Sequence, residues 1–270
     1  MSFSMRFLVL STGSKGNCAY IATPHAQILV DCGIPLRDVA SGLREHGIDP
    51  LQIDALFITH MHSDHIRTVP ALLRKHNMRV YCPSAHLHDL GVLIRSEASS
   101  ARPDEPRDQI ELVPVEPNMG FHYRDLDVLP VPVSHDCSPT VMYKFHCNQH
   151  SVGMLTDLGA TDSSQAALFA DCDALLLESN HCVEMLHHGR YPVHLKRRIR
   201  GERGHLSNDE AAQFAVGLAQ LPRHLMLGHL SDDNNTPQLA SAAFSRIELG
   251  GMIPHTVIPQ RTCGPLVELA

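Results

Sequence analysis

The stretch Thr59-His60-Met61-His62-Ser63-Asp64-His65 follows directly on Ala55-Leu-Phe-Ile58, an apolar run with no polar alternation. Such a run predicts a strand buried on both faces. The histidines therefore begin where a rigid sheet ends, a position from which side chains are held in place by the packed strand below. Four potential ligands, His60, His62, Asp64 and His65, fall within six residues. In extended backbone His60 and His62 point to the same side and reach one ion, while Asp64 and His65, beyond the turn, reach a second ion nearby. A lone histidine after a strand is usually a satisfied core or surface residue; four ligand residues at this spacing are a metal motif.

The flanking sequence frames that motif. Upstream, Phe7–Leu10, Ala19–Ala22 and Ile28–Val30 read as strands of a meander separated by Gly, Ser and Pro, followed by a helix over Leu36–Glu45. Downstream, helices are expected near Val69–His76 and Ala85–Ser96, a surface loop over Ser99–Arg107, and strands at Val128–Val133, Val141–Phe145, Val152–Leu155 and Ala174–Leu177. The last third alternates helix and strand: Asn208–Ala219, His224–Leu227, Pro237–Ile247 and His255–Ile258. Strands with interspersed helices in both halves predict an α/β fold of two sheets packed together and covered by helices. No linker or sequence repeat divides the chain, so one domain over residues 1–270 is expected.

Composition narrows the function classes. With 270 residues, 43% hydrophobic and 19% charged, the chain is long enough for a sizeable core and is not of disordered composition. A net charge of −7 excludes a protein that coats nucleic acid through bulk positive charge, though not one with a local basic patch. Twenty histidines prompt a search for ligand spacing. The eight cysteines form no C-x-x-C pair, which excludes a zinc ribbon or a thioredoxin-like motif and predicts reduced thiols. No apolar run reaches membrane-spanning length and Phe7–Leu10 is too short for a signal-peptide core, so a cytoplasmic protein without a membrane partner is expected.

The His-x-His-x-Asp-His motif resembles that of the metallo-β-lactamase-fold hydrolases. The resemblance implies an αββα sandwich of two mixed β-sheets flanked by helices, and further ligands downstream: His135 in Val131-Pro-Val-Ser-His-Asp136, Asp157 in Leu155-Thr-Asp-Leu-Gly159 and His229 in Leu227-Gly-His-Leu230. Each also follows an apolar, strand-like run. It assigns His60, His62 and His135 to one metal and Asp64, His65 and His229 to the other, with Asp157 as bridge. Asp31, in Asp31-Cys-Gly33, would orient the ligand loop from behind instead of binding metal. Two divalent ions lower the pKa of a bridging water toward about 7. Nitrogen and oxygen donors suit Zn²⁺ or Mn²⁺ alike.

Longer strings are similar to the YycJ/WalJ branch of that superfamily, bacterial proteins described as nucleases acting on DNA: Leu10-Ser-Thr-Gly-Ser-Lys-Gly-Asn17, Glu178-Ser-Asn-His-Cys-Val-Glu-Met-Leu186, Gly189-Arg-Tyr-Pro192, Leu195-Lys-Arg-Arg-Ile199 and Gly204-His-Leu-Ser-Asn208. Met61 and Cys182 depart from that branch, where Glu and Asp are expected, and Met61 should point away from the metals. The resemblance implies a phosphodiesterase or exonuclease on DNA or RNA. An alkoxide leaving group benefits from a general acid; His205 is the first candidate for acid or phosphate clamp, by similarity to ribonuclease Z-type enzymes, and His181 the second. The basic run Lys196, Arg197, Arg198 and Arg200 is the candidate track for a nucleic-acid backbone, with a solvated helix face as its plain alternative. A small-molecule hydrolase of a thioester, lactone or cyclic phosphodiester on the same fold is the competing reading, favoured by the net charge. A non-hydrolytic redox or regulatory protein is the third, disfavoured by the intact ligand set.

Overall fold

Along the first strand, Phe7 and Val9 face one way and Leu8 and Leu10 the other, and all four are buried. That is the pattern of a sheet covered on both faces. In the computed structural model, which describes residues 3–98, 110–245 and 253–270, Phe7 and Val9 join a cluster with Phe57, Tyr143, Phe145 and Leu176 between two sheets. Leu8 and Leu10 join a second cluster under helices, with Val39, Leu43, Val69 and Leu72. A third cluster lies on the far side of the other sheet, where Leu175, Leu177 and Leu227 meet Phe214, Ala215 and Phe244. Three separate apolar interiors require four layers, helices–sheet–sheet–helices.

The strands are β1 (Met5–Ser11), β2 (Cys18–Ala22), β3 (Gln27–Val30), β4 (Ala55–Phe57), β5 (Arg79–Pro83), β6 (Leu112–Val115), β7 (Phe121–Tyr123), β8 (Leu126–Val133), β9 (Thr140–Cys147), β10 (His150–Leu155), β11 (Ala174–Glu178), β12 (His224–Gly228), β13 (Thr256–Val257) and β14 (Val267–Leu269). One sheet runs β14-β1-β2-β3-β4-β5-β6, the other β13-β12-β11-β10-β9-β8-β7. In each, four strands pair antiparallel and the remaining pairings are parallel. The two sheets thus repeat one topology, which no sequence repeat announces. The helices are α1 (Leu36–Glu45), α2 (Ser63–Ile66), α3 (Val69–Lys75), α4 (Leu87–Ala98), α5 (Ser163–Phe169), α6 (Val183–His188), α7 (Val193–Ile199), α8 (Asn208–Val216) and α9 (Pro237–Ser245).

The expected elements are present, with ends shifted by a few residues. The pairing strands β5, β6, β7 and β14 and the short helices α2, α5, α6 and α7 were not anticipated, being three to seven residues each, too short for periodicity to register. The loop expected over Ser99–Arg107 and the end of the helix expected to reach Ile247 lie outside the described residues. All eight cysteines are free thiols. No helix among the described residues is long and apolar enough to cross a membrane.

The repeat has a local signature. Asp31-Cys-Gly33 leaves β3 and Asp157-Leu-Gly159 leaves β10, equivalent strands of the two sheets, and both aspartates have left-handed backbone (φ 57° and 55°). A Cβ on Gly33 would lie 1.6 Å from the Asp64 carbonyl oxygen, and one on Gly159 2.3 Å from the Gly201 carbonyl and the Gly204 amide. Each half therefore uses a glycine to let another loop pack against its aspartate turn, the ligand loop at Gly33 and the segment leading to His205 at Gly159.

Candidate metal centre

Strand ends from both sheets converge on one spot. His60 and His62 follow β4, Asp64 and His65 sit in α2, His135 follows β8, Asp157 follows β10 and His229 follows β12. Ligand-type atoms of His60, His62 and His135 lie within 4.8 Å of one another, as do those of Asp64, His65 and His229. Asp157 stands between the two groups: Oδ1 is 3.3 Å from His229 Nε2 and 3.8 Å from His135 Nε2, and Oδ2 is 3.3 Å from His65 Nε2. Like Asp31 and Asp157, His229 has a left-handed backbone, φ 57°. Such strain in non-glycine residues collects at functional sites. Met61 packs instead against the cluster under the first sheet's helices.

The other ring nitrogens fix which atom faces the centre. His65 Nδ1 lies 2.7 Å from Asp31 Oδ2, His229 Nδ1 2.7 Å from Glu178 Oε1, and His135 Nδ1 3.3 Å from the Gly204 carbonyl. The Thr59 hydroxyl donates to Asp31 Oδ2, so it accepts from His60 Nδ1 at 2.9 Å. In all four rings Nδ1–H is spent on an acceptor, leaving the Nε2 lone pair for a ligand. His62 is turned the other way. Its Nε2 lies 3.3 Å from Asp136 Oδ1 and its Nδ1 3.2 Å from His135 Nε2.

Buried polar atoms normally find partners. Here His60 Nε2, His229 Nε2 and Asp157 Oδ2 make no hydrogen bond although all three are buried. Three orphaned donor atoms converging among imidazoles and carboxylates are what a cation would satisfy, and the nitrogen and oxygen donor set fits a divalent ion of the Zn²⁺ or Mn²⁺ kind. The electrostatics agree. Burial drives His60 well below the ordinary imidazole range, and the neighbouring His65 adds to this. Burial opposes the charged form of His65 and of His229 too, but the Asp157 and Asp31 carboxylates lift His65 well above its usual value, and Asp157 with Glu178 lifts His229 to about 9. Burial likewise opposes ionisation of Asp157, yet the His229 and His65 imidazoles hold it well below the carboxylate range. The protons so favoured on His65 and His229 are ones that a divalent cation at these atoms would displace.

His205 stands beside this centre, its ring centroid 5.3 Å from those of His135 and of His229. It precedes α8, which Ser207 caps in a reciprocal box with Glu210. The cap and the histidine are thus both real features of one segment. His205 Nδ1 is 2.8 Å from Glu178 Oε1. His181 is bridged by backbone to Ser207 and lies outside the ligand groups. Its buried Nδ1 has no hydrogen bond, and burial lowers its pKa to about 4. Of the basic run, Lys196, Arg197 and Arg198 lie on α7, which buries no residue, and Arg200 just beyond it. Lys196 Nζ donates to the His187 carbonyl, and Arg198 Nε donates to Asp136. Arg197 and Arg200 are exposed.

Two residues that organise the site were not anticipated. Glu178, fully buried, accepts from His205 and His229 through Oε1 and from the Leu158 and Leu206 amides through Oε2. Its signal was a lone charge ending the apolar run Ala174-Leu-Leu-Leu-Glu178, since an unpaired carboxylate is rarely buried. Asn17 is the other. Its Oδ1 accepts from the Gly13 amide, which turns Nδ2 toward Asp64 Oδ2 at 3.4 Å and His65 Nε2 at 2.9 Å.

Comparison with known proteins agrees with this geometry. Residues 26–230 match the model of the beta-lactamase superfamily domain. The chain is 32% identical over 244 residues to the exodeoxyribonuclease YycJ of Bacillus anthracis, covering 90% of this chain and 89% of that protein. It is 33% identical over 236 residues to the exodeoxyribonuclease WalJ of Streptococcus pneumoniae, covering 87% and 85%. The metallo-beta-lactamase fold protein YhfI of Bacillus subtilis superimposes with a TM-score of 0.73 at 16% identity, over 98% of this chain and 99% of that one. With its αββα layers and its ligands at the strand ends of both sheets, the chain belongs to the beta-lactamase superfamily, in the family of the YycJ and WalJ proteins.

Proposed function

We propose that this protein is a metal-dependent phosphodiesterase, an exonuclease on DNA or RNA, working as one domain over residues 1–270 in the cytoplasm. The observation that carries the proposal is the convergence of orphaned Nε2 and Oδ2 atoms between two ligand groups with Asp157 in the middle, in a chain a third identical to exodeoxyribonucleases over most of its length. His60, His62 and His135 would hold one ion, Asp64, His65 and His229 the other, and Asp157 would bridge them. When bound, two such ions supply Lewis-acid polarisation of a phosphoryl oxygen and a nucleophile at neutral pH.

The remaining work falls to the chain's own side chains. Asp31 holds His65 and, through Thr59, His60. Glu178 supports the proton on His205 Nδ1, leaving Nε2 to contact the scissile phosphate or protonate the departing alkoxide. His181, neutral at pH 7 and outside the ligand groups, ranks behind it. The basic run around α7 would follow the nucleic-acid backbone. Hydrolysis of a small molecule, a thioester, lactone or cyclic phosphodiester, is the second reading, favoured by the net charge of −7. Protein reconstituted with Mn²⁺ or with Zn²⁺ is to be incubated with end-labelled duplex DNA, single-stranded DNA, RNA and bis(4-nitrophenyl) phosphate. Stepwise shortening of a labelled strand is expected; turnover of the small diester alone would point to the second reading.

A further inference from the structure

Asp136 follows His135 immediately and faces two ways. Its Oδ1 lies 3.3 Å from His62 Nε2, and its Oδ2 accepts from Arg198 Nε at 2.5 Å. One carboxylate thus ties a ligand-type imidazole to Arg198 of the basic run. The Arg198 side chain is 56% exposed, and ion pairs this open to solvent contribute little to stability. What the pair does accomplish is orientation: with Nε committed to Asp136, the guanidinium's two terminal amino groups have no hydrogen-bond partner among the described residues on a largely exposed side chain. A planar pair of donors held at a fixed angle matches two oxygens of a phosphate. His62 Nε2 is the nitrogen turned away from the centre, so Arg198, held beyond it through Asp136, stands outside the ligand shell that His205 adjoins.

We infer that Arg198 is the anchor for a phosphate neighbouring the scissile one, and that Asp136 is the positioning residue that holds it there. The inference rests on the phosphodiesterase reading and adds to it a subsite that only a strand with consecutive phosphates can fill. It makes the protein selective for polynucleotides over single diesters by contact geometry, not by bulk charge.

The test uses metal-loaded protein, a fluorescein-labelled phosphorothioate oligonucleotide for binding, and an oligonucleotide against bis(4-nitrophenyl) phosphate for turnover. Arg198→Ala is expected to weaken oligonucleotide binding and raise its KM by about 10- to 100-fold, at least tenfold more than any loss on the small diester, with kcat on the oligonucleotide falling far less than KM rises. Asp136→Asn should weaken oligonucleotide binding to a similar extent, Asp136→Glu should restore most of it, and adding Arg198→Ala to Asp136→Asn should cost nothing more. Metal content, measured on every variant, should be unaffected by Arg198→Ala. Equal losses on both substrates would place Arg198 on the scissile phosphate and overturn the subsite, as would unchanged binding. Additive losses, or tighter binding by Asp136→Asn, would overturn the positioning role. Failure of the wild-type protein to cleave any oligonucleotide would instead remove the phosphodiesterase reading itself, which is visible before any variant is made.

Discussion

Replacing Glu178 by glutamine keeps the shape of the most buried acid in the centre and removes its ability to accept at both oxygens. Oε1 serves the Nδ1 protons of His205 and His229 at 2.8 and 2.7 Å, and Oε2 the amides of Leu206 and Leu158 at 3.1 and 3.2 Å. An amide has one acceptor oxygen and an amino group that only donates, so either orientation leaves two donors facing a third. Backbone amides cannot adapt. An imidazole can, by moving its proton, but for His229 that protonates Nε2, the atom aimed at the ions. Burial pushes the Glu178 carboxyl up, and His205 and His229 outweigh it, holding the group at about 2 against an ordinary 4.5. The depressed value means stability present in full above about pH 4.5 and lost as pH falls toward 2, amounting to about 3 kcal/mol. In chelator-stripped protein at pH 7, Glu178→Gln should therefore lower Tm by about 6–12 °C, with the gap to wild type closing between pH 4.5 and 2. Competition with a chromophoric chelator should show metal affinity down by about 10- to 100-fold. A Tm within about 2 °C of wild type together with unchanged metal affinity would refute the reasoning.

His205→Ala should lower kcat on an oligonucleotide by about 10²–10⁴ with metal content intact, and should lose far less on bis(4-nitrophenyl) phosphate, whose leaving group needs little protonation; steady-state kinetics on both substrates measure the ratio. Arg197→Gln with Arg200→Gln should weaken binding to all sequences alike and reduce the salt-dependence slope by about 1.4 for a single strand, read from anisotropy titrations across salt. Cys182 occupies the N-cap of α6 in extended backbone with no side-chain cap bond, so Cys182→Asp should raise stability by about 1 kcal/mol, seen as a higher midpoint in urea.

How far the sequence carried depended on how local each device is. The ligand loop was legible because four donors and the strand that aims them lie within eleven residues, Ala55 to His65. His135, Asp157 and His229 were reached through resemblance and their position after apolar runs, and the structure brings all three to the loop. Glu178 stayed hidden because its meaning lies in partners 27 and 51 residues away, and a single glutamate at a strand end has no pattern. The basic run was visible as composition, but what separates Arg198 from Arg197 is Asp136, 62 positions earlier. The duplicated sheet topology left only Asp-Cys-Gly and Asp-Leu-Gly in the sequence, three residues long and two of them shared.

The ligands are divided between the layers: His60, His62, Asp64 and His65 hang from the sheet containing β4, and His135, Asp157 and His229 from the sheet containing β8, β10 and β12. Ions coordinated across that seam would act as a clasp, joining two halves that otherwise meet through apolar packing and a few hydrogen bonds, such as that from the Tyr143 hydroxyl to the Ile58 carbonyl. Beneath the ligands the two sheets are also held by the stacked rings of Phe57, Tyr81 and Phe121, with centroids 4.5 and 5.3 Å apart. Chelation should then loosen the seam from the ligand end while the aromatic packing beneath it holds. Amide exchange should quicken over residues 59–66 and 134–136 while the strands around Phe57 and Tyr81 keep their protection, so that the degree of opening reports metal occupancy by mass action.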